Sequence, residues 1–267
     1  MAIELFPVYV LLGVLSGLLG GALGLGGGVV IVPGLLLVFH LWGIGDEMMQ
    51  IAVATSLATI IVTSVGAIRA HHQRGSLRWP LVYRLSSGII LGAFVGAFVA
   101  DWLSGPRLIQ LFGVFSIIVS LQMFTSSRRA LHHDEPERLL PTPALMAAGS
   151  GIGLVSSLFG IGGGSLTVPL LNACRVRMQE AVAVSSACGL PIALAGGVGF
   201  VIAGWGNPAL PTGSLGYVYL PAAIGIGLAS YPMARVGAGL AHRLPAKTLK
   251  RIFAVVLFII GLRLMLS

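Results

Sequence analysis

The feature that most constrains this chain is a succession of unbroken apolar blocks separated by short polar connections. In the first half the blocks run about Leu5 to Leu41, Met48 to Ala70, Pro80 to Trp102 and Pro106 to Ser127. In the second they run about Ala144 to Ala173, Met178 to Ala203, Leu215 to Ala241 and Ala246 to Leu266. A spanning helix takes about 20 apolar residues, and in lipid a helix satisfies its own backbone. The runs are continuous, not alternating, which disfavours a transmembrane β-barrel. Only 9% of the residues are charged and 56% are hydrophobic, against roughly 25% charged in ordinary soluble domains. A soluble enzyme is therefore excluded, and the expectation is one all-α polytopic membrane domain.

The blocks are duplicated. GVLSGLLGGALGLGGGVVIVPGLL from Gly13 returns as GSGIGLVSSLFGIGGGSLTVPLL from Gly149. Gly13, Gly17, Gly24, Gly26, Gly27, Gly28 and Pro33 each recur 136 positions later, as Gly149, Gly153, Gly160, Gly162, Gly163, Gly164 and Pro169. MQIAVATSLA from Met49 likewise matches MQEAVAVSSA from Met178. The division is 1–130 for the first repeat, 131–143 for a charged linker and 144–267 for the second repeat.

Loop charge sets the topology, because Lys and Arg concentrate on the cytoplasmic side. The net charge of +8 is thus membrane anchoring and not a nucleic-acid footprint. Arg69, Arg74, Arg78 and Arg84 follow the second block, and Arg128, Arg129 and Arg138 lie around the linker. In the second half the basic residues follow the first block (Arg175, Arg177) and the third (Arg243, Lys247, Lys250, Arg251). Equivalent loops then fall on opposite faces, so the repeats are inverted. Four simple crossings per half cannot do this, since they return the chain to its starting side. The first block must turn back at its Gly-rich run, giving each half a broken or re-entrant helical hairpin plus three full spans. The linker is cytoplasmic and both termini lie outside. A parallel duplication with simple spans is the alternative; it puts one Arg-rich set outside. The acidic start, Met1 to Phe6, is read as retained and not as a signal peptide.

Glycines three or four residues apart, as at Gly13, Gly17 and Gly20, suit close helix packing. Three consecutive glycines do something else: they break a helix and leave N–H groups unpaired. A helix restarting at Val29 or Ser165 aims its positive end into the membrane, where it can hold an anion. The candidate substrate-binding set is accordingly Gly26, Gly27, Gly28 and Val29 with Gly162, Gly163, Gly164 and Ser165. Pro33 and Pro169 follow as a simple kink or as a polar backbone edge of the site. Thr55, Ser56 and Thr59, with Ser185 and Ser186, offer hydroxyl donors, or bond their own backbone as hydroxyls in membrane helices do. Arg235 is the one base inside a span; it either snorkels to the interface or lines an anion path. No acid is embedded in a block, and no HExxH or GxSxG occurs. Neither catalytic residues, a metal site nor a cofactor is called for, and Cys174 and Cys188 are read as buried small residues.

The paired motif LLGGALGLGGGVVIVPGLL and SSLFGIGGGSLTVPLL, with the HHQRG loop at His71 and the block-four pattern, resembles the sulfite exporter TauE/SafE family of bacterial and archaeal permeases. The resemblance implies an inner-membrane transporter of sulfite, sulfoacetate and other small sulfur-containing or organic anions. An anion channel, or a membrane subunit that serves a partner complex without transporting, is the alternative.

Overall fold

The computed structural model describes residues 5–23, 27–41, 43, 48–126, 137–241 and 246–266. Gly24 and Gly26, the Asp46–Glu47 loop and most of the charged linker lie outside the described residues. In the first half, α1 (Phe6–Leu23) and α2 (Gly28–Leu41) flank the first Gly-rich run, followed by α3 (Met48–Gln73), α4 (Trp79–Trp102) and α5 (Gly105–Ser126). In the second half, α6 (Thr142–Leu158) and α7 (Gly164–Ala173) flank the other run. A short antiparallel pair, β1 (Ser214–Leu215) and β2 (Val218–Tyr219), separates α8 (Met178–Ala203) from α9 (Leu220–Ala241), and α10 (Ala246–Leu266) closes the described chain. The chain is overwhelmingly helical, as composed. The exception is the β1–β2 hairpin, which takes up the first residues of the block expected from Leu215, so that α9 starts only at Leu220.

Both Gly-rich runs divide a helix in two. The geometry is fully described at the second. Gly160 takes φ +65°, its N–H reaches the carbonyl of Ser157, and the N–H of Ile161 reaches back to Ser156. This is the left-handed stop that glycine allows at a helix C-terminus. Gly163 then caps α7, accepting from the N–H groups of Leu166 and Thr167. In the first run Gly27, at φ +61°, accepts likewise from Val30 and Ile31. With 14 residues in α2 and 10 in α7, at about 1.5 Å per residue, neither crosses a hydrocarbon core of about 30 Å alone. α3 and α8, with 26 residues each, are long and apolar enough to do so.

The halves are interlocked. α1 packs along α9 and α6 along α4, the two most extensive helix pairs. Glycines set those spacings: a Cβ on Gly13 would sit 2.6 Å from the carbonyl oxygen of Ile226, and one on Gly96 equally close to that of Leu154. α3 and α8 pass antiparallel, Gly189 against Ser64 and Gly196 against Leu57. α5 and α10 are antiparallel too, Gly113 meeting Gly261 while the Ser120 hydroxyl donates to the carbonyl of Ala254 at 2.7 Å. Exposed Leu, Ile, Val and Phe cover the outside, among them Leu91, Ile118, Leu194 and Leu228, which is how a protein solvated by lipid presents itself.

Candidate anion site

The second Gly-rich turn abuts the start of α2. The Ser56 hydroxyl donates to the Gly160 carbonyl at 2.7 Å, and a Cβ on Gly28 would run into that same oxygen. Only glycine fits there. Next to this contact lies a cavity of about 70 Å³ whose wall includes Gly27 of the first turn and Gly162 of the second, with Ser185 and Ser186 of α8. A water needs about 10–15 Å³ by this measure, so several waters or one small polyatomic anion have room. Gly17, Gly20, Thr63, Ser64 and Ala67 continue the wall along α1 and α3, and Ala234 completes it from α9. None of its described lining residues is ionisable.

The Ser185 hydroxyl of the cavity wall has no partner: the residue is 1% exposed and its Oγ makes no hydrogen bond. Ser165 and Thr167, at the start of α7 and not among the described wall residues, are also buried and unpaired. A buried orphan hydroxyl costs about 1–3 kcal/mol. At Ser185 a polar guest in the cavity offsets that cost. At the start of α7 the N–H groups of Gly164, Leu166 and Thr167 are taken by the carbonyls of Gly162 and Gly163, which leaves that of Ser165 as the donor this helix end offers.

Of the residues expected at the site, the cavity brings together Gly27, Gly162, Ser185 and Ser186. Gly28, Val29, Gly163, Gly164 and Ser165 stand behind that wall, at the starts of α2 and α7. Gly26 lies outside the described residues. The Ser186 hydroxyl donates to its own helix, at the Val182 carbonyl, as does that of Thr59 to Ser56. Thr55 Oγ1 accepts the Tyr219 N–H at 3.0 Å and is committed elsewhere. Arg235 is exposed, with its guanidinium 4.9 Å over the Tyr231 ring and bonded to the Tyr231 hydroxyl. Ser16, Thr63 and Ser64 also line the cavity and were not legible as site residues, because their facing depends on how the two halves cross.

Between α3 and α4, Arg78 forms ion pairs to Glu137 before α6 at 2.6 Å and to Glu180 in the first turn of α8 at 3.1 Å. The Glu137 hydrogen bond, ahead of the Glu180 contacts, raises the Arg78 pKa above its ordinary value.

The sequence model of the sulfite exporter TauE/SafE family matches residues 9–264. A probable membrane transporter protein of Haemophilus influenzae is 34% identical over 96% of this chain and 97% of its own length. One from Methanocaldococcus jannaschii is 27% identical over 98% and 96%, and one from Bacillus subtilis 28% over 97% of each. No solved structure matches the chain. With a duplicated Gly-rich turn, long apolar helices and this match along nearly its whole length, the chain belongs to the sulfite exporter TauE/SafE family of multi-pass membrane transporters.

Proposed function

We propose that the chain is an exporter of small sulfur-containing or organic anions such as sulfite or sulfoacetate, held between the two Gly-rich turns. The observation that carries this is that Gly27 and Gly162, from different halves, line one cavity with the unpaired Ser185 hydroxyl. The donors are neutral, which matches an anion held by hydroxyl and backbone groups. The antiparallel passage of the equivalent helices α3 and α8, and of α5 and α10, supports inverted repeats with 1–130 and 144–267 as the two units. Rocking one repeat against the other gives alternating access. The cavity extends toward the C-terminal end of α3 and the N-terminal end of α8, where Arg69, Arg74 and Arg177 lie. By the loop-charge rule that end, with the linker, is cytoplasmic, in the inner membrane, and both termini are outside.

Purified protein in liposomes tests the reading. Saturable flux of sulfite or a sulfonate, stimulated by the same anion preloaded on the far side, is expected. Ohmic flux identifies a channel, and no flux with any of these anions a membrane subunit without transport. Sidedness is checked by single cysteines after replacing Cys174 and Cys188, both free and buried. An impermeant maleimide should label Gly206→Cys in intact cells, and Gly75→Cys and Arg177→Cys only after permeabilisation. Labelling of Arg177→Cys from outside returns the chain to parallel repeats.

A further inference from the structure

The β1–β2 hairpin follows the C-terminal end of α8, the end away from Ser185 and Ser186 in the cavity wall. Tyr217, Val218 and Tyr219 are all buried. The hairpin is fixed to its own half: a Cβ on Gly204, at the end of α8, would lie 2.7 Å from the Tyr217 nitrogen, and the Tyr217 ring meets Phe200 edge-on. It meets the first half chiefly along α3, on which β2 packs, and through identifiable polar and ring contacts. The Tyr219 N–H donates to Thr55 Oγ1 at 3.0 Å, buried from solvent, and the Tyr217 hydroxyl donates to Asp101 Oδ1 at 2.7 Å. The Tyr219 ring stands edge-on between Tyr9 and Phe39, 6.2 Å from each.

Two properties make this contact a gate and not general packing. It joins the two halves at the end of α3 and α8 away from the cavity lining, the place that has to part for the site to face the other side. It also includes polar bonds and ring edges, which separate and re-form as units, beside the packing of β2 along α3. The close backbone approaches of Gly13 on α9 and Gly96 on α6, by contrast, cannot part without loss of the interlock.

We propose that the β1–β2 hairpin is the outer gate of the transport path, latched shut by Thr55 on Tyr219 and Asp101 on Tyr217. Thr55 is thus a positioning residue that acts through the hairpin. The proposal rests on the reading above for which end is outside.

A single cysteine at Ala67 in the cavity wall, in the background lacking Cys174 and Cys188, reports which end is open. In right-side-out and inside-out vesicles the parent should be labelled from the cytoplasmic side only. Thr55→Val with Tyr217→Phe removes both latches, and labelling from outside should rise at least tenfold. Thr55→Ser with Asp101→Asn keeps both acceptors and should label like the parent. Tyr217→Phe alone leaves the ring in place and, where the double variant does not fold, is read the same way. Outside labelling that stays at the parent rate in a folded Tyr217→Phe protein overturns the gate. If the parent itself is labelled from outside and not from inside, the sidedness reading has failed instead, a distinct result.

Discussion

Gly162→Leu should abolish anion binding, seen as loss of the thermal shift that sulfite or a sulfonate gives the parent protein. Its side chain enters a cavity of about 70 Å³ and displaces the guest. A hydrogen bond to a charged group contributes about 1.5–3 kcal/mol, so each donor screened from the anion costs roughly 10- to 150-fold in affinity. Ser185→Ala removes one donor that has no other partner, and should fall within that range without lowering stability. Gly27→Ala acts by another route: at φ +61° a side chain costs about 1–2 kcal/mol, while the added Cβ finds its nearest neighbour, the Ser16 carbonyl oxygen, at 3.4 Å. Gly13→Ala is the packing control. It pushes α1 off the Ile226 carbonyl and should lower the melting temperature with affinity retained. Equal destabilisation and retained affinity in all four variants would leave packing as the only role of the glycines.

The break in each first block was legible because three adjacent glycines cannot be absorbed into a membrane helix. The structure puts the stop at Gly160 and the restart at Gly163. The roles of individual hydroxyls were not legible. Ser56 and Ser185 occupy equivalent places in the repeat, yet Ser56 is bonded to Gly160 and Ser185 is unpaired. Thr55 looks from sequence like a third donor at the same level, and the structure turns it toward Tyr219. A repeat specifies which positions correspond; which partner each one meets depends on the crossing of α3 with α8, information no local pattern carries. The β1–β2 hairpin was missed for a related reason. The Gly- and Pro-rich connection from Gly204 reads as an uncharged loop, and the contacts that hold two-residue strands there, Phe200 and Gly204 against Tyr217 and Thr55 against Tyr219, are tertiary.

Reversing the membrane potential should reverse net flux. Moving one negative charge outward through an inside-negative potential of 100 mV is favourable by about 2.3 kcal/mol, enough for roughly a 50-fold gradient. Export of an anion then needs no coupling ion. The residues agree with this. The described acids are Asp101 at the end of α4, Glu137, and Glu180 in the first turn of α8, none of them in the cavity wall. The described residues of the wall include no ionisable side chain on which to carry a proton alongside the substrate. In liposomes with a potassium diffusion potential, a permanently ionised sulfonate should therefore move toward the positive side at either polarity, and a pH gradient of one unit should change the rate little. For sulfite, pH acts through the ionisation of the substrate itself. Collapse of sulfonate accumulation by a proton ionophore at zero potential would refute potential-driven export and require a proton relay. The exposed Arg235 and its partner Tyr231 would be the first place to substitute in the search for it.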